Sequence, residues 1–257
     1  MKNESIFLSV IIPCYNEEAN LKRDVLSEVY NYLKIQKFAW EVIISDDGST
    51  DSSKIILKKK IKDFTNFKLL ENEHGGKPSA LLYGIKKSSG KWILFTDMDQ
   101  STPISELRKL LPYVYKYKVV IGSRGLKRKN FPIYRKLGAM VFANFRKLLI
   151  LSEVNDTQCG FKLFYRKLLV DKFPELEFFK RNNRPLGWQV TSFDVELLHI
   201  LKKSGAKTKE IEVLWNDQDI SESKGGGLSR YIRESREMFT QILRVKMNDL
   251  KGMYKDS

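Results

Sequence analysis

Trp92-Ile93-Leu94-Phe95-Thr96-Asp97-Met98-Asp99 is an apolar run that ends on two acidic residues. Trp92–Thr96 has the length and composition of a buried strand. Four other stretches read the same way: Phe7–Ile12, Glu41–Ser45, Phe67–Glu71 and Val119–Gly122. Amphipathic segments separate them, at Glu17–Leu33, Asp51–Ile61, Pro78–Lys87 and Ile104–Tyr115. Short apolar strands alternating with helical patterns predict an α/β fold, a mostly parallel central sheet flanked by helices. Such sheets bind ligands beyond the carboxyl ends of their strands. The residues expected there are polar and often acidic: Pro13 through Glu18, Asp46 through Asp51, Asp97 through Asp99, and Ser123-Arg124.

If the chain stays extended past Phe95, Asp97 and Asp99 face the same side and address one point. Two carboxylates held together repel, and a hard divalent cation such as Mg²⁺ or Mn²⁺ relieves that. The plainer alternative is a helix cap before Pro103–Glu106, with Ser101 and Thr102 as competing caps. In Asp46-Asp47-Gly48-Ser49-Thr50-Asp51 a turn and a cap account for Gly48, Ser49 and Thr50 but less well for two successive carboxylates. Gly75-Gly76-Lys77 precedes a helix, where backbone amides and a lysine suit a phosphate, although a plain loop has the same composition. Asp156 through Lys162 packs an acid, an amide, an aromatic and a cation into one loop that enters a strand at Phe161–Phe164.

The chain has 257 residues, 42% of them hydrophobic, enough for a sizeable core, and a net charge of +15. That charge points to an anionic partner: nucleic acid, a membrane surface or a phosphorylated substrate. Between Glu106 and Glu153 there is no acidic residue. Large apolar residues such as Phe131, Tyr134 and Phe142 lie among the cations there, which suits either an anionic membrane interface or a core-packed helix with a solvated basic face. No apolar run reaches the roughly 18–20 residues of a membrane span, and no signal peptide is evident, so a cytoplasmic location is expected. Cys14 and Cys159 read as buried free thiols. Residues 1–220 are expected to form one domain. Residues 221–257 would form a glycine-rich linker and an amphipathic helix, whose Leu228, Tyr231, Ile232, Phe239 and Ile242 share a face. Docking of that face on the protein's own core is preferred over a membrane.

Eight ordered blocks between residues 6 and 215 resemble glycosyltransferase family 2. They are Val10–Glu18, Asp46–Asp51, Gly75–Lys77, Phe95–Asp99, Ser101–Pro103, Gly122–Arg124, Asp156–Phe164 and Phe193–Leu198, with Val213-x-Trp215 matching a late strand. Within the family they are most similar to the dolichyl-phosphate β-glucosyltransferase and polyprenyl-phosphate glycosyltransferase group. The resemblance implies a GT-A (Rossmann-like) fold. It implies an inverting, metal-dependent transfer of a hexose, glucose by subgroup, from a UDP-sugar to a polyprenyl or dolichyl phosphate. Pro13, Tyr15 and Glu17 would frame the nucleotide, Asp47 or Asp46 would contact the uracil, and Lys77 would lie near the phosphates. Asp97 and Asp99 would form the site for Mg²⁺ or Mn²⁺ and the diphosphate. Arg124 and Arg135 would face the acceptor phosphate, with Lys162, Asp194 and Glu196 around the acceptor.

A phosphate acceptor is already anionic at neutral pH and needs no strong base. A hydroxyl acceptor would need one, with Asp156 and then Asp99 as candidates. Met98 and Gln100 depart from the family's usual residues at those places. A soluble or polysaccharide acceptor and a silent UDP-sugar binder are competing readings. A nucleic-acid-binding module is not expected, because acidic strand ends repel phosphate in the absence of a metal. Peripheral contact with an anionic membrane on its cytoplasmic face is the accompanying expectation.

Overall fold

The computed structural model describes residues 5–125, 142, 144–180, 193–216, 218 and 228–254. Seven strands form one sheet: β1 (Leu8–Cys14), β2 (Trp40–Asp46), β3 (Phe67–Glu71), β4 (Trp92–Phe95), β5 (Val119–Ser123), β6 (Lys162–Tyr165) and β7 (Thr208–Glu212). Their spatial order is β3-β2-β1-β4-β6-β5-β7. The β1–β2, β1–β4, β2–β3 and β5–β7 pairs are parallel, whereas β6 runs antiparallel to both β4 and β5. The expected α/β architecture is present, with one reversed strand in a mostly parallel sheet.

Strand alternation divides the core into two layers. Ile11, Ile93, Phe95, Val119, Ile121 and Phe164 face one layer. Their neighbours Val10, Ile12, Leu94, Val120 and Leu163 face the other. The first layer is covered by helices Lys77–Lys87, Arg166–Lys172, Phe193–Lys203 and Leu228–Leu250, and the second by helices Glu18–Lys22 and Val25–Leu33 and the turns around Ile104–Tyr113. A fully buried strand is apolar on both faces, which is why Val10–Ile12 of β1, all of β4 and Val119–Ile121 of β5 are continuous apolar runs.

Three boundaries differ from the sequence reading. The expected helix Glu17–Leu33 is broken at Asp24, which adopts a left-handed conformation with φ 62°; Asp tolerates that region better than most residues. Ile104–Tyr115 is a 3₁₀ turn, one turn of α-helix and a second 3₁₀ turn, ending at Tyr113. Val213-x-Trp215 lies past the end of β7 rather than within a strand.

One buried carboxylate ties the amino-terminal ends of the strands. Glu41 on β2 accepts hydrogen bonds from Ser9 Oγ (2.7 Å), Ser89 N (2.6 Å) and Lys68 Nζ (2.8 Å). Burial opposes its ionisation, but Lys68 and these hydrogen bonds prevail and hold its pKa below the ordinary value. Glu41→Ala leaves these donors without an acceptor and is expected to cost about 2–3 kcal/mol, read as a lower urea midpoint.

The expected boundary at 220–221 falls outside the described residues. Beyond it, Ile242, Val245 and Tyr254 of the C-terminal segment are buried in the same layer as β1, β4 and β5. Gln241 and Asn248 are buried beside them, and Arg244 pairs with Glu177 at 2.8 Å.

Candidate active site

The carboxyl ends of β1, β2, β4 and β5 meet the start of β6 at one edge of the sheet. The loops after β1 and β2 are laced together there. Asn16 Oδ1 accepts from Thr50 N (2.8 Å), Asn16 N donates to Ser49 Oγ (3.0 Å), and Glu17 N donates to Ser53 Oγ (2.8 Å). The Asp46 carboxylate turns back on its own loop and accepts from Gly48 N and Ser49 N, both at 3.2 Å. Gly48 has φ +74°, and a Cβ there would lie 2.8 Å from His74 N, so glycine is required on both counts.

Asp47 is fully buried. Its Oδ1 accepts from Gly75 N (2.9 Å) and its Oδ2 from Gly76 N (2.8 Å). Burial raises its pKa, and those two amides and His74 only partly offset the rise. Asp47 therefore holds the Gly75-Gly76 loop in place. His74, to which the sequence reading gave no role, stacks on Tyr15 with ring centroids 4.3 Å apart, forming an aromatic wall beside this loop. Its place directly before two glycines is the signal that marks it.

Lys77 Nζ donates to Asp97 Oδ1 at 2.5 Å. Burial works against the charge of Lys77, but Asp97, Asp194 and Asp99 outweigh it and hold its pKa above the ordinary lysine value. Arg124 at the end of β5 grips Asp156 with a fork: Nε donates to Oδ2 (2.7 Å) and Nη2 to Oδ1 (2.8 Å). Arg124 N (3.0 Å) and Gln158 N (3.0 Å) add two further bonds to the same carboxylate. Burial raises the pKa of Asp156, but Arg124 overrides it and holds the carboxyl well below the ordinary range. Trp215 lies against the Arg124 guanidinium, 5.7 Å from ring centroid to Cζ, a partner that the sequence reading placed only as part of a strand. Asp194, at the start of helix Phe193–Lys203, acts electrostatically on both Lys77 and Arg124, which joins the two cations in one site.

The sequence profile of glycosyl transferase family 2 matches residues 9–173. The chain belongs to glycosyltransferase family 2. Dolichyl-phosphate β-glucosyltransferase ALG5A of Trichomonas vaginalis is 31% identical over 98% of this chain and 76% of its own length. The Saccharomyces cerevisiae dolichyl-phosphate β-glucosyltransferase is 29% identical over 99% and 78%. Among solved structures, mannosyl-3-phosphoglycerate synthase from Rubrobacter xylanophilus superposes with a TM-score of 0.65 at 14% identity, covering 96% of this chain and 75% of that one. Glucosyl-3-phosphoglycerate synthase from Mycobacterium tuberculosis, bound to Mn²⁺, UDP and glucosyl-3-phosphoglycerate, superposes with a TM-score of 0.62 at 18% identity over 93% and 80%. These likenesses fix the GT-A fold. The chain is an enzyme, a hexosyltransferase resembling the dolichyl-phosphate β-glucosyltransferases.

Several expected site residues of this family 2 enzyme lie elsewhere than the sequence implied. β4 stops at Phe95, and Asp97–Gln100 forms a turn in which Gln100 N donates to Asp97 O (3.2 Å) and Gln100 has φ 50°. The extended-chain argument for the two carboxylates therefore fails, and Asp99 Oδ1 instead accepts from Ser101 N (2.8 Å) within the turn; it does not cap the Ile104–Glu106 helix, whose N-cap is Pro103 with no side-chain cap bond. Met98 is buried in the core. Lys162 is also buried; its Nζ donates to Cys159 O and to Asp194 Oδ1 (2.9 Å), so it positions Asp194 rather than meeting an acceptor. Glu196 is two residues beyond Asp194 on a helix, hence on another face. It is buried and accepts from Glu177 N (2.8 Å) and Tyr254 OH (2.9 Å) in the helical layer, away from the sheet edge. Arg135 lies outside the described residues. Arg146, one of the cations of the acid-free interval, is buried and donates to Thr157 Oγ1 and to the carbonyls of Val154 and Asn155 (2.6–2.9 Å), pinning the loop that carries Asp156.

Among the described residues, no group of three or more His, Cys, Asp or Glu converges as for a metal ion. Mg²⁺ and Mn²⁺ do not need one, since one or two carboxylates, waters and substrate phosphates complete their shells. Asp97 and Asp99 supply hard oxygen donors, and a cation, the Lys77 ammonium, already sits on Asp97. Gly160 gives the Asp97 carboxylate its room, because a Cβ there would lie 2.0 Å from Asp97 Oδ2. The donor set fits the metal. Gly160→Ala must push Asp97 aside and is expected to lower sugar transfer about a hundredfold, since an ångström of misplacement costs that much. Steady-state release of nucleoside diphosphate measures it.

Proposed function

We propose that this enzyme transfers a hexose, glucose in the first instance, from a UDP-sugar to the phosphate of a polyprenyl or dolichyl lipid, with inversion. The observation that carries this reading is the pair of cations at the sheet edge, Lys77 on Asp97 and Arg124 on Asp156, both acted on by Asp194. Two cations held ready in one site suit a reaction with two phosphate-bearing reactants. The dolichyl-phosphate β-glucosyltransferases to which the chain is similar along nearly its whole length supply the lipid and the sugar.

The Tyr15–His74 wall, Pro13 and Glu17 frame the nucleotide beside the loop that Asp47 braces. Lys77 leaves Asp97 for the diphosphate and concentrates positive charge where negative charge develops. Asp97 and Asp99 would hold Mg²⁺ or Mn²⁺, which supplies Lewis-acid neutralisation of the departing diphosphate. Arg124, fixed by Asp156 and Trp215, orients the acceptor phosphate. A phosphate oxygen forms the new bond to the anomeric carbon, the carbon–oxygen bond to the diphosphate breaks, and its electron pair leaves with UDP. Attack from the face opposite the nucleotide inverts the centre. No proton needs removing, which agrees with an Asp156 whose proton affinity is too low for a base.

The test is incubation with labelled UDP-glucose, Mn²⁺ and a short-chain polyprenyl phosphate, with GDP-mannose and UDP-galactose as competing donors. Glucosyl lipid phosphate from UDP-glucose is the expected product. Transfer from another donor alone contradicts the sugar, and no lipid product from any donor contradicts the acceptor.

A further inference from the structure

We propose that the outward face of the C-terminal helix is a docking surface for an anionic lipid bilayer. Ile242 and Val245 are fully buried and mark the inner face of this helix, and Phe239 packs at its flank on the rings of Phe142 (5.8 Å) and Phe145 (5.2 Å). The opposite face is apolar too. Leu243, Met247 and Leu250, at spacings of four and three residues, are 47%, 54% and 76% exposed, and Met253 follows at 39%. A helix face turned to water is ordinarily polar. Single exposed hydrophobics mean little, but four of the eleven exposed large hydrophobics among the described residues fall within these eleven positions, and that clustering marks a contact surface. Leu148, 83% exposed, lies one turn beyond Phe145, which packs on Phe239 of this helix.

The charge around this stripe selects its occupant. Lys246 stands three residues from Leu243, Lys251 four from Met247, and Arg236 lies one turn before Thr240 on the same face. The acidic Asp249 is turned to the flank, where it pairs with Lys203 (3.1 Å). Two copies of the chain pressed together here would set like charges against each other, whereas an anionic bilayer complements both the cations and the apolar stripe. Among the described residues no helix is long and apolar enough to cross a membrane, so a helix lying in the interface is the form of attachment this surface supports. The inference goes beyond the glycosyl-transfer reading, because vesicle binding needs neither donor nor acceptor.

The experiment is flotation of the full chain with vesicles of phosphatidylcholine alone and of phosphatidylcholine with phosphatidylserine. The expected result is partition onto the anionic vesicles, falling at least tenfold in L243E/M247E and severalfold in K246E/K251E. Leu243, Met247 and Lys251 are exposed and Lys246 is half-buried, so the thermal midpoint should stay within a few degrees of the parent, which separates lost binding from lost folding. Equal partition of parent and L243E/M247E overturns the proposal, as does a parent that stays in the aqueous phase. A parent that is a stable dimer in solution, made monomeric by L243E/M247E, overturns it in favour of a second copy.

Discussion

Asp97→Asn lowers sugar transfer about a hundredfold or more, the loss expected when a charge aimed at the transition state is removed, and leaves the thermal midpoint little changed. The amide keeps the shape of the carboxylate in its turn but not its charge. Lys77 loses the nearest of the three carboxylates that keep it charged against burial. One of the two carboxylates that would hold the metal loses its charge with it. Lys77→Ala separates these effects. It removes the ammonium and keeps both carboxylates, so it should weaken UDP binding while the dependence on Mn²⁺ persists. Asp97→Asn should blunt that dependence. Titration of Mn²⁺ against UDP release in both variants reads the difference, and identical metal curves would contradict the assignment.

Asp156→Ala is expected to lower stability by about 3–5 kcal/mol, the range for breaking a buried ion pair from one side. The Arg124 guanidinium loses its fork, and the Arg124 and Gln158 amides lose an acceptor. Transfer falls in parallel, since Arg124 is no longer held against Trp215. The pH dependence has a definite sign. The folded carboxyl titrates well below its value in the unfolded chain, near 3.9. The contribution of the pair is therefore complete above about pH 4 and is lost as pH falls through the folded value. The gap in urea midpoint between the parent and Asp156→Ala should begin to narrow between pH 7 and pH 3 and close only at still lower pH. An undiminished gap at pH 3 would place the stabilisation elsewhere.

Much of the sheet was legible because its strands are buried on both sides. Val10-Ile11-Ile12 and Val119-Val120-Ile121 feed one core layer with one residue and the other with the next, which leaves an unbroken apolar run. The reversal of β6 was not legible. Its four residues include Lys162, whose burial depends on Asp194, 32 positions away in the sequence. Spacing misled where a local conformation intervened: the turn at Gln100 removes Asp99 from the extended register of Asp97, and the 100° step of a helix sends Glu196 away from Asp194. The cations were legible as cations, but not their employment. Arg146 and Arg124 look alike in an acid-free interval, yet one is spent on buried carbonyls and the other is braced by a carboxylate that the sequence had offered as a base. The C-terminal helix is apolar on two faces, and only the burial of Ile242 and Val245 shows which one is left outside.

Asp156, the first candidate base, is locked to Arg124, and the proposed route relies on cations that receive an acceptor already ionised. The direct measurement compares a polyprenyl phosphate with the polyprenol of the same chain length as acceptors of glucose from UDP-glucose. The account predicts transfer to the phosphate at least a thousandfold faster, in keeping with loss of both the nucleophile's charge and its contact with Arg124. Comparable rates with the alcohol would show that the enzyme deprotonates its acceptor and would contradict the roles given to Arg124 and Asp156.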